Sequence, residues 1–429
     1  MSPRVARLGR LLAGSALLTG ATGAAGVAHA SQPAAHPQAK VTYTVGVSVP
    51  FNELKDLATG IDHAVRVAAA QANKRNLVPG VTFQVKSLDD TVNGKHDGAK
   101  DAQNGLQFVN DSTVIGSVGP LNSSADVVSE PVYNRNGLVQ ISPSNTNPDL
   151  TARVYRAKYE PSSLSGSPLT YFRTCTTDSY QGPAAALYAK KAGYKAVFVT
   201  DNQGAYGIGL ANAFKAEAIK IGLKVVGSAE LDAANVAPSA QQLATSIAAK
   251  KPDLVYFGGE YGAKGGAEIF DDSLHKAGLT KFTFMGGDGI YASDFIKSAY
   301  EDNGLATSVG GDPTKDPNAQ AFIKAEAAQY PGTTPQAYDT YSYDAAGVII
   351  NAFAKAVKAG KIKVGASMTK TNRLLVAQYV GLTSDYHGAT GPVSFDRNGD
   401  SNNHLIGVYK VTGTGSTAKW SFLALAPKV

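Results

Sequence analysis

The chain contains a single cysteine among 429 residues, Cys175, so no disulfide can form within it. This cysteine lies in the β-like run Tyr171–Cys175, where we expect a small buried residue rather than a reactive thiol. The signatures of common enzymes are also missing: there is no Gly-x-Ser-x-Gly, no Walker loop and no His-Glu-x-x-His. We therefore expect a protein that is not an enzyme and that has no catalytic residues and no cofactor.

Patterns that bind metals are scarce as well. The seven histidines are isolated and form no ligand spacing. The stretch Asp396–Asp400 reads Asp-Arg-Asn-Gly-Asp, which resembles part of a calcium loop but lacks the glutamate that ends one. We interpret it as a hairpin turn, and the sequence predicts no metal site.

The first thirty residues form a segment of their own. Arg4, Arg7 and Arg10 precede an uncharged run over residues 11–28 that ends in Ala28-His-Ala30. This order is typical of a secretory signal peptide, and a membrane anchor is less favoured because the run is rich in Gly, Ala and Thr. We expect cleavage after Ala30, a loose lead over residues 31–40, and a periplasmic or other extracytoplasmic location. No cysteine follows the cleavage site, so no lipid anchor is expected, and no other segment could span a membrane.

Charge gives little support for nucleic-acid binding. Removing the leader takes away three Arg and no acid, so 37 basic residues then face 34 acidic ones and the net charge falls from +6 to +3. The lysines are scattered singly and form no basic run, which is typical of a solvated surface. We expect no nucleic-acid partner.

The rest of the chain alternates short β-type runs with helical periodicity, which predicts an α/β fold with parallel sheets covered by helices on both faces. The predicted strands are 41–49, 81–88, 114–118, 138–141, 196–200, 224–231, 253–258 and 281–286, with tail strands at 391–395, 405–411 and 420–423. The predicted helices include 56–73, 97–109, 319–329 and 338–359. The aromatic run Tyr338–Asp344 starts the last of these helices, and we interpret it as core.

About 390 mature residues exceed what one hydrophobic core usually serves, so two doubly wound lobes are expected. We assign residues 41–172 with 312–392 to the first lobe and residues 173–311 with 393–429 to the second, joined by a hinge of several strands. Residues 151–167 are rich in Ser, Pro and Arg, and we interpret them as a surface excursion before the chain crosses to the second lobe.

Two turns carry an unusual density of small hydroxyl and amide residues. The strand at 114–118 runs into Asn122-Ser-Ser124, and the strand at 138–141 runs into Ser144-Asn-Thr146. In an open α/β sheet such turns lie at the carboxyl ends of strands, where ligands bind. If Ser123 opens a helix, hydroxyls and free backbone N–H groups point at one place, which suits a small carboxylate. Capping of a helix without a ligand is the alternative for these serines.

A series of short motifs occurs in order along the mature chain. It comprises Ile115-Gly, Asn122-Ser-Ser, Ile141-Ser-Pro, Pro148-Asp-Leu-Thr151, Phe172-Arg-Thr, Asp178-x-x-Gln-Gly182, Tyr206-Gly-x-Gly-Leu, Val255-Tyr-Phe-Gly-Gly259 and Phe284-Met-Gly-Gly-Asp-Gly289. This series resembles the type I periplasmic substrate-binding proteins of ABC importers, and within them the leucine/isoleucine/valine-binding group. The resemblance implies two lobes that close on an amino acid and deliver it to a permease with an ATPase, with the binding protein acting as a monomer.

The resemblance also implies ligand contacts at matching positions. The ligand carboxylate would be held by Ser123, and the α-groups by Ser144 and Thr146. The second lobe would contribute Tyr206 as an aromatic contact and Asp288 as the acid that pairs with the ammonium.

At two positions the chain departs from the pattern. Where the family often has a tyrosine, this chain has Glu53, or Phe51 in another register, and Glu260 beside Tyr261. Three acids around one pocket are unfavourable unless a cation or proton relieves them. Either the ligand carries a second donating group or Glu53 and Glu260 face water, and we weakly favour a polar ligand over leucine.

The sequence thus favours an exported binding protein without catalysis. A ligand sensor of the same fold that reports to a signalling partner, and a secreted hydrolase with an unrecognised site, stay open as alternatives.

Overall fold

The computed structural model describes residues 40–262, 266–297, 304–384 and 386–429. The predicted signal peptide at residues 1–30 lies outside the described residues, as does the lead at residues 31–40 apart from Lys40. No helix within the described ranges is both long and apolar enough to cross a bilayer.

The described strands form two larger sheets and two short hairpins. They are β1 (Val41–Val49), β2 (Val81–Asp89), β3 (Thr91–Val92), β4 (Lys95–His96), β5 (Val114–Val118), β6 (Gln140–Ser142), β7 (Tyr171–Arg173), β8 (Ala196–Asp201), β9 (Lys224–Glu230), β10 (Leu254–Gly258), β11 (Thr283–Gly286), β12 (Gly304–Val309), β13 (Tyr386–Gly388), β14 (Gly391–Val393), β15 (Ile406–Thr412) and β16 (Lys419–Leu425). The hairpins are β3–β4 and β13–β14.

The sheets differ in how they end. The first sheet has the order β2-β1-β5-β6-β7 and is parallel throughout. The second has the order β16-β15-β12-β11-β10-β8-β9, in which β15 and β16 are antiparallel and the other strands are parallel. Each sheet is the centre of one lobe, so the predicted α/β fold with two parallel-sheet lobes is confirmed.

Helices cover the sheets. They are α1 (Lys55–Lys74), α2 (Gly98–Asn110), α3 (Ser123–Arg135), α4 (Arg156–Tyr159), α5 (Asp178–Ala192), α6 (Ala205–Lys220), α7 (Val236–Ala248), α8 (Ala267–Lys276), α9 (Gln320–Gln329), α10 (Asp339–Lys358) and α11 (Lys370–Gly381). Helices α10 and α11 return to pack on β5 of the first sheet, beside α1. This return brings the chain before α10 next to the turns that contain Ser123 and Ser144.

The predicted elements agree with the structure to within a few residues. Strand β1 is buried on both faces: Thr44, Gly46 and Ser48, which alternate with its valines, are buried too. The reason is position: β1 lies between β2 and β5 with helices on both sides of the sheet. Strand β12 was not predicted, although it joins the parallel and antiparallel parts of the second sheet.

The excursion at residues 151–167 is more buried than expected for a surface segment. Val154 and Leu164 are exposed, but Tyr159 packs against Leu150 and Tyr171. Glu160 is buried, and its Oε1 accepts the backbone N–H of Tyr171 over 2.9 Å. The segment therefore closes the edge of the first sheet beside β7.

Four carboxyl groups are buried between the first sheet and the helices α2 and α3. They are Asp90, Asp101, Asp126 and Glu130. Burial raises the pKa of each, and neighbouring carboxylates raise the pKa values of Asp90, Asp126 and Glu130 further. Burial raises the pKa of Asp101 to about 6, against hydrogen bonds from Ser129 and Ser48 that lower it. The folded protein therefore holds protons near neutral pH that an unfolded chain would release.

This proton binding predicts how stability depends on pH. Because the folded pKa of Asp101 lies above its unfolded value, its contribution to the free energy of unfolding is greatest below the unfolded pKa and is lost as pH rises through about 6. Urea denaturation should give a free energy of unfolding about 1–3 kcal/mol lower at pH 7.5 than at pH 5. Asp101→Asn should make the free energy of unfolding depend less steeply on pH over this interval. Stability that rises with pH over this interval would contradict the assignment.

Candidate functional site

The first-lobe side of the site consists of two loops at the carboxyl ends of β5 and β6. Ser123 is the first residue of α3, and its Oγ accepts the Asn147 N–H over 3.4 Å. The Ser144 hydroxyl donates to the Leu121 carbonyl over 2.9 Å. The loops therefore hold each other, beside a helix N-terminus whose first N–H groups have no partner within the helix. This arrangement suits a carboxylate.

A buried guanidinium supports the second loop. Arg173 donates to the carbonyls of Asn145 and Asn147 over 2.6 and 2.9 Å, and to the Thr151 hydroxyl over 2.6 Å. Its Nε also donates to Asp400 Oδ1 over 2.6 Å. Burial works to lower the pKa of Arg173, but the charge of Asp400, its hydrogen bond to Arg173 and the nearby Tyr171 and Cys175 together raise the pKa, so the cation persists. The turn at Asp396–Asp400, predicted as a hairpin turn, thereby takes part in loop support.

The second-lobe side centres on Asp288, which follows β11. Its Oδ1 accepts from Gln181 Nε2 over 2.7 Å and from the Tyr206 hydroxyl over 3.0 Å. Its Oδ2 accepts from the Tyr338 hydroxyl over 2.6 Å. Burial raises the pKa of Asp288, while these hydrogen bonds work to lower it. The Gly289 N–H in turn donates to the Tyr206 hydroxyl over 3.0 Å and fixes that ring.

The other two predicted acids have protein partners. Glu260 is buried, and its Oε2 accepts from Asn202 Nδ2 over 2.7 Å. The Glu53 carboxylate accepts the His96 backbone N–H over 2.7 Å and lies at the same distance from His96 Nδ1. The other ring nitrogen of His96 lies 2.9 Å from the Ser124 hydroxyl. Glu53 is thus connected to the start of α3 rather than directed at Asp288.

These groups surround a small cavity between the lobes. It is lined by Leu54, Leu57, Leu121, Asn122, Ser123, Ser144, Tyr206, Glu260, Tyr261, Asp288, Gly289 and Tyr338. Hydroxyls and a helix N-terminus lie on one side, and two carboxyl groups lie on the other. Three leucines supply an apolar wall.

The structure brings most of the predicted site residues together. Ser123, Ser144, Tyr206, Glu260 and Asp288 line one cavity, whereas Glu53 and Thr146 do not. Thr146 is fully buried behind the loop, where its carbonyl accepts the Asp178 N–H over 2.8 Å. The ligand contacts themselves stay predictions at all seven positions.

Several lining residues were missed. Leu54 and Leu121 follow predicted strands and Leu57 lies in a predicted helix, but an apolar residue there gives no signal that separates a pocket wall from core. Tyr338 was assigned to the core with the rest of its run; it is buried, yet its hydroxyl reaches Asp288. Tyr338 lies just before α10 and beside the turns that contain Ser123 and Ser144. This position depends on the return of α10 to the first lobe.

Within the four described ranges, no group of three or more His, Cys, Asp or Glu side chains is placed to hold a metal ion. Cys175 is buried, as expected, and burial raises the pKa of its thiol. The site has hydrogen-bonding and apolar groups suited to holding a small molecule.

Comparison with known proteins agrees with this geometry. Residues 42–416 match the family described as periplasmic binding protein. The chain belongs to the periplasmic binding protein family. It is 27% identical over 380 residues to the Leu/Ile/Val-binding protein BraC3 of Rhizobium johnstonii, which covers 87% of this chain and 93% of that protein.

Solved structures show the same fold. The leucine-binding protein LivK of Thermotoga maritima superposes with a TM-score of 0.71 at 21% identity, covering 90% of this chain and 98% of that one. An ABC transporter substrate-binding protein of Desulfitobacterium hafniense in complex with Leu gives a TM-score of 0.69 at 22% identity, covering 89% of this chain and all of the other.

The close packing around Asp288 predicts that Gly287 accepts no side chain. A Cβ at Gly287 would lie 2.5 Å from the Tyr206 hydroxyl and 2.7 Å from Gln181 Nε2, which both donate to Asp288. Gly287→Ala should therefore lower the free energy of unfolding by about 1–3 kcal/mol, measured by chemical denaturation. Gly311→Ala is the matched control, because its nearest new neighbour, Leu425, lies at an ordinary 3.5 Å. Equal stability of the two variants would contradict this packing.

Proposed function

We propose that this protein is the extracytoplasmic solute-binding component of an ABC importer and that it captures an aliphatic amino acid by closing its two lobes. The observation that carries the proposal is the composition of the cavity. It places neutral donors and a helix N-terminus opposite a buried carboxylate, with an apolar wall beside them. This is the complement of a zwitterion with an aliphatic side chain.

The carboxylate of the ligand would bind on the first lobe. Ser123 contributes its hydroxyl and begins α3, so the ligand meets a side-chain donor and backbone N–H groups together. The Ser144 hydroxyl already donates a hydrogen bond to the Leu121 carbonyl, so the main role of Ser144 is to hold the loop in shape. A buried anion needs such donors, because an unpaired buried charge is costly.

The ammonium would bind on the second lobe at Asp288, with Glu260 close by. Asp288 is fixed by Gln181 and Tyr206, so it is oriented before the ligand arrives. Charge-assisted hydrogen bonds of this kind are about twice as strong as neutral ones. One carboxylate is enough to neutralise one ammonium.

The apolar wall favours a ligand with an aliphatic side chain. The sequence had favoured a polar ligand, because three acids were expected around the pocket. Leu54, Leu57 and Leu121 line the cavity. The two acids that suggested a polar ligand have protein partners, Glu53 at His96 and Glu260 at Asn202. The relatives named above for Leu/Ile/Val or leucine binding support the same choice.

The biological role follows from the family and the lobes. The first lobe would comprise residues 41–172 with 312–392 and the second 173–311 with 393–429, with hinge closure around the cavity. The closed monomer would deliver its ligand to a membrane permease with an ATPase and would catalyse no reaction. Export by a leader cleaved after Ala30 would place it outside the cytoplasm. A sensor would use the same closure, but the similar Desulfitobacterium protein is a transporter component, which supports import.

Ser123 provides the first test. Losing a hydrogen bond to a charged group costs about 1.5–3 kcal/mol, so Ser123→Ala should weaken leucine binding about ten- to a hundredfold in titration calorimetry. Ser124→Ala is the matched control, since Ser124 is the next residue of α3 and its hydroxyl faces His96 outside the cavity. The control should change affinity by less than about threefold. If the two variants bind leucine alike, the carboxylate does not lie at Ser123.

Leu57 provides the test of side-chain specificity. Leu57→Ala removes part of the apolar wall, and an apolar contact of this size discriminates by about 1–3 kcal/mol. The affinity for leucine should therefore fall at least about tenfold more than the affinity for alanine, whose side chain is too short to reach the wall. The ratio of the two affinities, measured by calorimetry, is independent of any general loss of stability. An unchanged ratio would place the ligand side chain elsewhere.

A further inference from the structure

The hydrogen bonds of Asp288 come from both lobes. Gln181 and Tyr206 belong to α5 and α6, which pack with the second sheet, as Asp288 does. Tyr338 immediately precedes α10, which packs on the first sheet. Its hydroxyl reaches Asp288 Oδ2 over 2.6 Å, and both side chains are buried. The two lobes are therefore joined inside the cavity by this hydrogen bond.

We propose that Tyr338 is a positioning residue whose hydroxyl couples lobe closure to recognition of the ligand ammonium by Asp288. This inference rests on the proposed function and adds the residue that connects the ammonium site to the hinge motion. In the open protein Asp288 would keep only its two second-lobe donors. On closure Tyr338 supplies the third and orients Oδ2 within the cavity.

The arrangement of acceptor sites supports the coupling. A carboxylate has about four lone-pair sites for hydrogen bonds. Oδ1 uses two of them for Gln181 and Tyr206, and Oδ2 uses one for Tyr338. The remaining site lies on Oδ2, so the ligand ammonium and the Tyr338 hydroxyl would share one oxygen. The ligand therefore meets a fully oriented carboxylate only when the lobes are closed.

Two of the other hydrogen bonds between the lobes involve partly exposed side chains, and neither involves a residue assigned to the ammonium. Ser293 donates to Asp56 Oδ2 over 2.7 Å, and Asn147 Nδ2 donates to the Ala205 carbonyl over 3.0 Å. Both are partly exposed, so water can replace them when the cleft opens. The Tyr338–Asp288 contact is buried, and its loss leaves part of a carboxylate to be resolvated. Its removal should therefore shift the open–closed equilibrium more than removal of either of these two hydrogen bonds.

The test compares Tyr338→Phe with Tyr206→Phe. Each variant removes one hydroxyl donor from the same carboxylate and keeps the ring, but only Tyr338 bridges the lobes. Spin labels on cysteines introduced at the exposed Lys95 and Lys220 would report the distance between lobes, while the buried Cys175 stays unlabelled. Without ligand, Tyr338→Phe should lower the closed fraction about tenfold relative to wild type, whereas Tyr206→Phe should leave it within about twofold.

Leucine titrations complete the test. Tyr338→Phe should bind leucine about ten- to a hundredfold more weakly, mainly through faster dissociation. Closed fractions that are equal in the ligand-free wild type and Tyr338→Phe, or lowered as much by Tyr206→Phe, would overturn the coupling. If wild-type protein binds no leucine, the proposed function fails, while the ligand-free distances still decide whether Tyr338 controls closure.

Discussion

The guanidinium of Arg173 holds the binding side of the first lobe in shape. It is fully buried at the end of β7 and donates to two carbonyls and a hydroxyl of the loop after β6, as well as to Asp400. A buried cation is stable only when its donors are satisfied, so the loop carbonyls are drawn to it and the loop cannot relax outward. In this loop, Ser144 donates to the Leu121 carbonyl and Asn147 donates to the Ser123 hydroxyl. The start of α3 is therefore held in place by the same loop.

The second lobe reaches a comparable rigidity with opposite chemistry. There the buried charge is an anion, Asp288, and its partners are neutral donors rather than a cation. Neutral partners stabilise the carboxylate without cancelling its charge, which leaves it attractive to an ammonium. A salt bridge at this position would satisfy the acid within the protein. Among the described residues that line this cavity, none is Lys or Arg.

The sequence predicts the alternation of strands and helices well because buried parallel strands are short, continuous and apolar. The hydroxyl turns at Ser123 and Ser144 were found for the same reason, since polar residues stand out immediately after such strands. The wall formed by Leu54, Leu57 and Leu121 could not be predicted, because a leucine that faces a ligand has the same local sequence as one that faces core. Glu53 shows a second limit of local patterns: its partner His96 lies 43 residues further along the chain, and no local pattern reveals that pairing.

The order in which segments join the sheets also limits how the chain can fold. The strands of the first sheet are all present by Arg173, yet α10 and α11, which cover β5, come only after residue 338. The second sheet includes β15 and β16, which come last along the chain. In β16, Trp420 donates to the Ala292 carbonyl over 2.9 Å. A polypeptide emerging gradually from a ribosome or a translocation channel would thus expose unfinished apolar sheet faces until its last residues appear.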